Sequence, residues 1–369
     1  RSIRMERKKI TFTVTNDLSY DQRMQKICKA LADDGYSVTL IGRRLPHSQP
    51  FALSNVKTKR IYCFLKKGFG FYLEYNVRLF FQLLFFENPS IFSAVDLDTI
   101  IPCTLAAKLK RKKLVFDAHE YFTEVPEVVH RPKVQKVWQF IENHFVHHAN
   151  LCYTVGPALS SIFETKHNKP FGIIRNVPYF DPHYIENKNI DEKFILYQGA
   201  LNKARGIEHM ILAMKKIPLR FHIVGEGDLG DTLKKMVVEE GLENKVFFLG
   251  YMSPSQLKSY SQTAYMGLNV SEPMGLSYYY SLNNKFFDYV QAGLPALTNK
   301  FPEYETLIRE YEVGILADSN PDDLAQKVNM LLDNSALYNK LKSNCEKARL
   351  EWNWENEKIK LLELYATLT

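Results

Sequence analysis

Short runs of β-branched and aromatic residues alternate along the chain with stretches whose apolar positions recur every three or four residues. In the first half KITFTVT (9–15), SVTLIG (37–42), KRIYCF (59–64), IFSAV (91–95), KLVFDA (113–118), LCYTV (151–155) and GIIRN (172–176) predict strands. After the first of them, QRMQKICKALADDG has helical period and stops at Gly35. A polar, turn-like stretch, FDPHYIENKNIDEK (180–193), interrupts the alternation. It resumes with FILYQG (194–199), RFHIVG (220–225), KVFFLG (245–250), YMGLNV (265–270), PALTN (295–299) and VGILA (313–317). Strands alternating with helices imply parallel sheets covered on both faces. The expected fold class is α/β, with two tandem doubly wound Rossmann-like domains facing across a cleft. Ligands are expected beyond the carboxyl ends of the strands. The predicted bounds are 5–185 for the first domain, 186–350 for the second, and 351–369 for a terminal amphipathic helix crossing back to the first. Residues 1–4 (RSIR), ahead of Met5, are read as an appended scar.

Composition narrows the class. With 46% hydrophobic and 24% charged residues, the 369-residue chain can bury two ordinary soluble cores. Five scattered cysteines without a C-x-x-C pair predict a reducing compartment, with no disulfide and no zinc. The net charge of +7 raises nucleic-acid binding, but the basic residues are dispersed apart from KLKRKK (108–113). No zinc-finger spacing, RNP motif or basic heptad accompanies them, so no nucleic-acid partner is expected. Nor does any apolar run reach the roughly 18 residues that would span a bilayer. The aromatic stretch KKGFGFYLEYNVRLFFQLLFFENP (66–89) is read first as a buried helix, and second as one with a face in the lipid interface. The expected location is cytoplasmic, with the inner face of the cytoplasmic membrane as a peripheral alternative.

Chemistry gathers at predicted strand ends. GEGDLG (225–230) is a literal G-x-G-x-x-G, yet the next strand ends FFLGYMS without the acid that a dinucleotide ribose needs. In QGALNKARG, Lys203 and Arg205 follow a strand directly, a placement suited to phosphate oxygens. FDAHEYFTEVPE places Asp117, His119, Glu120 and Glu124 beyond another strand, without metal-ligand spacing. In TNDLSYDQRMQK the polar residues Asn16, Asp17 and Asp21 would line the first domain's side of the cleft, with helix capping by Ser19 or Asp21 as the plain alternative. The stretch YSLNNKFFDYVQAGLPAL (280–297) puts Ser281, Asn283, Asn284 and Lys285 at the start of a short helix. A cation is unfavourable at that end unless something anionic binds there.

In order and spacing, NDLSYDQRMQKICKALADDGYSV, FDAHE, TVGPALSSIFE, RNVPYF, GALNKARGIEHMI, HIVGEGD, VFFLGYMSPSQL and NNKFFDYVQAGLP resemble the retaining glycosyltransferases of the GT-B fold, family 4. The resemblance implies a nucleotide-sugar donor in the second domain, a saccharide or lipid-linked acceptor in the first, and a role in polysaccharide or glycoconjugate synthesis. It implies that Arg205 and Lys203 meet the donor diphosphate near Gly199, and that Gly227 allows its approach. It also implies that Tyr251 and Met252 lie at the base, that Asp288 holds the ribose, and that His119 faces the transferred sugar. Ser281, Asn283, Asn284 and Lys285 would cradle the diphosphate, while Asn16, Asp17, Asp21 and Glu120 would meet the acceptor. No cofactor or metal is expected; the D-x-D letters at 96–98 are read as a strand end. The chain departs from the family's E-x7-E pattern: eight positions before Asp288 stands Tyr280, and Glu272 lies sixteen before it. Two other readings are a GT-B sugar-nucleotide 2-epimerase using Asp117, Glu120 and Glu124, and a non-catalytic nucleotide-sugar-binding protein.

Overall fold

A computed structural model of the chain describes residues 8–19, 21–184 and 192–368. The chain divides into two compact units, residues 1–175 with 358–369, and residues 176–357. The first carries seven strands: β1 (Lys9–Thr13), β2 (Ser37–Arg44), β3 (Val56–Tyr62), β4 (Ile91–Val95), β5 (Lys113–Ala118), β6 (Leu151–Thr154) and β7 (Gly172–Ile173). All pair in parallel, in the order β3-β2-β1-β4-β5-β6-β7. The second carries β8 (Phe194–Gln198), β9 (Arg220–Val224), β10 (Val246–Gly250), β11 (Met266–Asn269), β12 (Ala296–Asn299) and β13 (Gly314–Ala317). These are also parallel, in the order β10-β9-β8-β11-β12-β13. Both units are therefore doubly wound, as the alternation of patterns implies. In each sheet the order reverses once, between β1 and β4 and between β8 and β11. There the two strands' following loops leave in opposite directions and open a crevice.

Local chemistry sets the element ends. Asp21 caps the helix Gln22–Asp33 by accepting from Met24 N at 3.0 Å, and Gly35 turns the chain with φ of 98°. Capping is thus the role the structure gives Asp21. Inside this helix Arg23 is buried, and its Nη2 donates to Asp117 Oδ1 at 3.1 Å while Nη1 donates to Ile174 O at 2.8 Å. Burial alone would raise the Asp117 carboxyl, but Arg23 and then His119 hold it below its usual range. The helix Trp354–Ala366 starts in the second unit, and its residues from Lys358 belong to the first. There Tyr365 is fully buried, its ring 6.2 Å from that of Phe12 and its hydroxyl 3.4 Å from that of Tyr153. Of the polar stretch 180–193, residues 185–191 lie outside the described residues.

One element differs from its first reading. The helix Gly68–Phe81, continued by a wider turn over Gln82–Phe86, is not buried all round. Phe71, Tyr75, Leu79 and Leu83 form one buried row at four-residue spacing. Phe69, Leu73, Val77, Phe81 and Phe85 form a second row at the same spacing, and all five are exposed. Two apolar stripes on one helix give no moment that marks the inner one, so the sequence read as uniformly buried. Among the described residues no helix is long and apolar enough to cross a membrane.

Replacing Arg23 by Met is expected to destabilise the fold by about 3–5 kcal/mol, because the buried Asp117 then loses its guanidinium partner and keeps His119 alone. A urea midpoint equal to that of the parent protein would show that the pair is not needed.

Candidate functional site

In the first unit, the polar residues beyond β1, β4 and β5 meet at the β1/β4 reversal. The Asp96 backbone N–H donates to Asp117 O at 2.8 Å, and Asp96 Oδ1 accepts the His119 backbone N–H at 2.8 Å. His119 Nε2 lies 2.9 Å from Asp117 Oδ2, and its Nδ1 lies 3.9 Å from Asp96 Oδ2. Burial pushes the imidazole down, but the Asp117 and Asp96 carboxylates outweigh it and hold its pKa at about 9. His119 is therefore an imidazolium at neutral pH, a donor to any hydroxyl in front of it. Asp96 is pushed well above the usual carboxylate range by burial, with His119 opposing. Asp98 is raised by burial to about 7, although the Thr15 hydroxyl donates to it. That Thr15–Asp98 bond closes the crevice between the loops that follow β1 and β4.

Beside it lies a recess of about 360 Å³ lined by Thr15, Asn16, Asp17, Asp21, Arg43 and Leu45. The structure thus brings the three first-loop candidates together, but two of their side chains already have work. Asp17 is buried and accepts from Ser19 N, from Ser48 Oγ and from Arg60 Nη2, so it ties the loop to its neighbours. Asp21 caps its helix and takes Asn16 Nδ2 at 3.2 Å. Asn16 and Glu120 remain exposed. The set Asp117, Glu120 and Glu124 does not converge: Asp117 is locked beneath His119, and Glu124 accepts from Gln135 Nε2 at 3.1 Å.

In the second unit, β8 leads into Gly199 with φ of 132°, and the loop carries two further positive φ values, at Ala204 (62°) and Gly206 (68°), on either side of Arg205. The Glu272 backbone N–H, beyond β11, donates to Ala204 O at 3.0 Å and closes the β8/β11 crevice. Lys285 enters the same place from the start of the helix Asn284–Gln291. Its Nζ sits 4.0 Å from the Tyr197 ring centre and 3.5 Å from where a Cβ on Gly199 would stand. Burial, then the neighbouring Arg205 guanidinium, lower its pKa to about 7 against the pull of Asp288. Arg205 itself lies 5.2 Å over the Tyr278 ring, and Lys203 is exposed on the loop. Two cations set close enough to repel make an anion-binding place.

The other donor candidates are distributed differently from the expected cradle. Ser281 Oγ donates to Tyr278 O, Asn283 Nδ2 donates to Asn269 Oδ1 at 3.2 Å, and Asn284 Oδ1 accepts from Asn176 Nδ2 at 2.9 Å. These side chains fix the helix start, and of the four only Lys285 joins Arg205. A Cβ on Gly227 would come within 2.6 Å of Leu201 N, so this glycine makes room for the chain's own loop. Leu201 N donates to Glu226 O and Leu229 N to Leu201 O, clamping the two loops. Asp288 Oδ2 accepts from Gln198 Nε2 at 3.1 Å one turn beyond Lys285. Tyr251 and Met252 follow Gly250 at the end of β10, with Tyr251 widely exposed. Asp96 and Asp98, whose D-x-D letters read as a strand end, belong to the first crevice, and Glu272 belongs to the second. Glu272 sits on the Arg205 loop with its Oε1 3.2 Å from His209 Nε2. Its signal was present as S-E-P-M-G, but the extra short helix Leu276–Tyr279 spoils any count back from Asp288.

The family description "Glycosyltransferase Family 4" matches residues 22–177, and "Glycosyl transferases group 1" matches residues 182–348. The chain belongs to the GT-B glycosyltransferases. An uncharacterized glycosyltransferase of Methanocaldococcus jannaschii is 29% identical to it over 183 residues, 47% of this chain and 45% of that protein. The mouse chitobiosyldiphosphodolichol beta-mannosyltransferase is 26% identical over 163 residues, 38% of this chain and 33% of its own length. The matches thus span half or less of these curated relatives. Among solved structures, Anabaena HepE in complex with UDP-glucose superposes with a TM-score of 0.76 at 15% identity, covering 97% of this chain and 99% of that one. The sucrose-phosphate synthase of Thermosynechococcus elongatus gives 0.75 at 17%, covering 98% and 99%. At such identities these structures establish the fold of this glycosyltransferase and nothing finer.

The lowered Lys285 pKa makes the binding of any anion in this crevice depend on pH. A bound diphosphate favours the ammonium form, so binding takes up a proton between about pH 7 and the ordinary lysine range. Affinity for a nucleotide sugar, whose diphosphate does not titrate there, is expected to fall by up to about tenfold per pH unit above 7. Calorimetry from pH 6.5 to 9 checks this, and Lys285→Met should flatten the slope.

Proposed function

We propose that this glycosyltransferase moves a hexosyl group from a UDP- or GDP-sugar to a saccharide or lipid-linked acceptor, with retention at the anomeric carbon. One observation carries the reading: Lys285 and Arg205 converge beside the Gly199 turn at the β8/β11 crevice, where a diphosphate can lie. Anabaena HepE, alike in fold, is described in complex with UDP-glucose, and the mouse relative is named for a dolichyl-diphosphate-linked acceptor, which support the donor and acceptor classes.

The leaving diphosphate gains charge as the glycosidic bond breaks, and Arg205, Lys203 and Lys285 stabilise it without a metal ion. Asp288 is assigned to the ribose hydroxyls, and Tyr251 with Met252 to the base. Glu272, held on the Arg205 loop, is the replacement for the missing first glutamate at the sugar. His119 donates to a hydroxyl of the transferred sugar, and the acceptor attacks from the face that the diphosphate leaves. Its proton passes to the departing phosphate oxygen, so no protein nucleophile is required. The pathway class is polysaccharide or glycoconjugate synthesis, with the protein in the cytoplasm or peripheral at the inner membrane face.

Thermal-shift screening against UDP-, GDP- and ADP-sugars tests the donor, and no stabilisation by any of them would defeat the reading. Arg205→Ala should lower kcat by about 10²–10³-fold with the fold intact. Asp288→Ala should weaken nucleotide binding by calorimetry. With donor saturating at each pH, kcat should decline above about pH 9, as His119 loses its proton, and His119→Gln should remove that limb of the kcat profile.

A further inference from the structure

The exposed apolar row on the helix Gly68–Phe81 is one wall of a groove of about 570 Å³, whose other walls are the helices Ile100–Lys110 and Pro132–Phe145. That volume is within the range of small-molecule sites, roughly 300–1,000 Å³. Leu73, Val77, Leu105 and Val137 line it and are all exposed, and Trp138 lies at its side against Tyr72. Of 21 large hydrophobic side chains exposed among the described residues, six (Phe69, Leu73, Val77, Phe81, Leu105 and Val137) line this one groove. Arg131 lines the groove, and exposed Lys133 and Lys136 follow it in the first turns of the helix Pro132–Phe145. Asn76, Asp98 and Arg131 are polar residues of the groove, and Asp98's partner Thr15 lines the polar recess after β1. The apolar groove and the polar recess thus adjoin across a single hydrogen bond.

We propose that this groove holds the hydrocarbon chain of a lipid-borne acceptor, with the acceptor's polar head at the Thr15–Asp98 junction and the rim cations against anionic phosphate. The inference rests on the transferase reading and narrows its acceptor to a lipid. A phosphate-linked hydrocarbon chain satisfies the walls, the rim and the junction together.

The test uses the full chain, the probe undecaprenyl phosphate in mixed phosphatidylcholine–phosphatidylglycerol vesicles, and two separate variants, Leu73→Glu and Val137→Glu. Flotation should show binding by the parent protein that each variant weakens by about tenfold or more. Phosphatidylcholine–phosphatidylglycerol vesicles without the probe should capture much less protein, and equal capture with and without the probe overturns the proposal. UDP-sugar binding, read by calorimetry, should be the same in parent and variants, which shows that they fold. Equal capture of parent and variants, or no capture of the parent, overturns the proposal. So does a parent dimer in sedimentation that the variants dissolve, because the face would then join two copies. If lipid capture behaves as expected while no nucleotide sugar binds, the transferase reading fails and the groove assignment stands.

Discussion

Parallel strands must be joined by crossovers, and in both sheets the crossovers reverse direction once, beside the central strand. That reversal decides where chemistry can collect, because only there do loops from two strands part and leave backbone and side chains open to a ligand. In the first unit the loops after β1 and β4 are rejoined by the Thr15–Asp98 hydrogen bond, and in the second those after β8 and β11 by Glu272 N to Ala204 O. His119, Asp96 and Asp98 in one unit, and Arg205, Lys285 and Glu272 in the other, are placed by these two crevices.

The two crevices treat charge in opposite ways. The first surrounds one imidazole with carboxylates, which raises its pKa to about 9 and leaves Asp98 near 7. The buried Arg23 makes this possible. It keeps Asp117 ionised, and Asp117 in turn keeps His119 protonated. The second crevice brings Lys285 and Arg205 together, and the lysine answers by giving up about half of its charge at neutral pH. A positive place that becomes more positive when an anion arrives is suited to a charged leaving group.

The strands were legible because both sheets are covered on both faces, so that β4 and β8 are buried at every position and are mostly apolar, with Ser93 and Gln198 as the exceptions. The strand-end cations Lys203 and Arg205 were legible for the same reason, since a strand's end fixes where its loop begins. What was not legible depends on side-chain partners. Asn283 and Lys285 stand two residues apart in one polar run, yet one braces Asn269 and the other faces the Tyr197 ring. Gly227 has the spacing of a phosphate-loop glycine, but only the position of Leu201 shows which backbone it admits. The helix Gly68–Phe81 has two apolar rows at one spacing, and only the neighbouring helices decide which is covered.

Backbone strain separates the crevices from the rest of the chain on independent grounds. Six non-glycine residues have positive φ among the described residues: Asn55, Asp96, Arg111, Asn168, Ala204 and Glu312. Arg111, Asn168 and Glu312 end helices in the left-handed cap, and Asn55 lies in the turn before β3, where asparagine tolerates it. Asp96 and Ala204 have no such local excuse. Each costs on the order of 1–3 kcal/mol, and each lies beside an order reversal, Asp96 after β4 and Ala204 in the loop after β8. Relaxing Asp96 would withdraw the carboxylate from His119, and relaxing Ala204 would turn Arg205 away and release Glu272. The strained residue thus presents its own carboxyl group to the crevice in the first unit and its neighbour's guanidinium in the second, and the surrounding parallel sheet supplies the packing that holds it there.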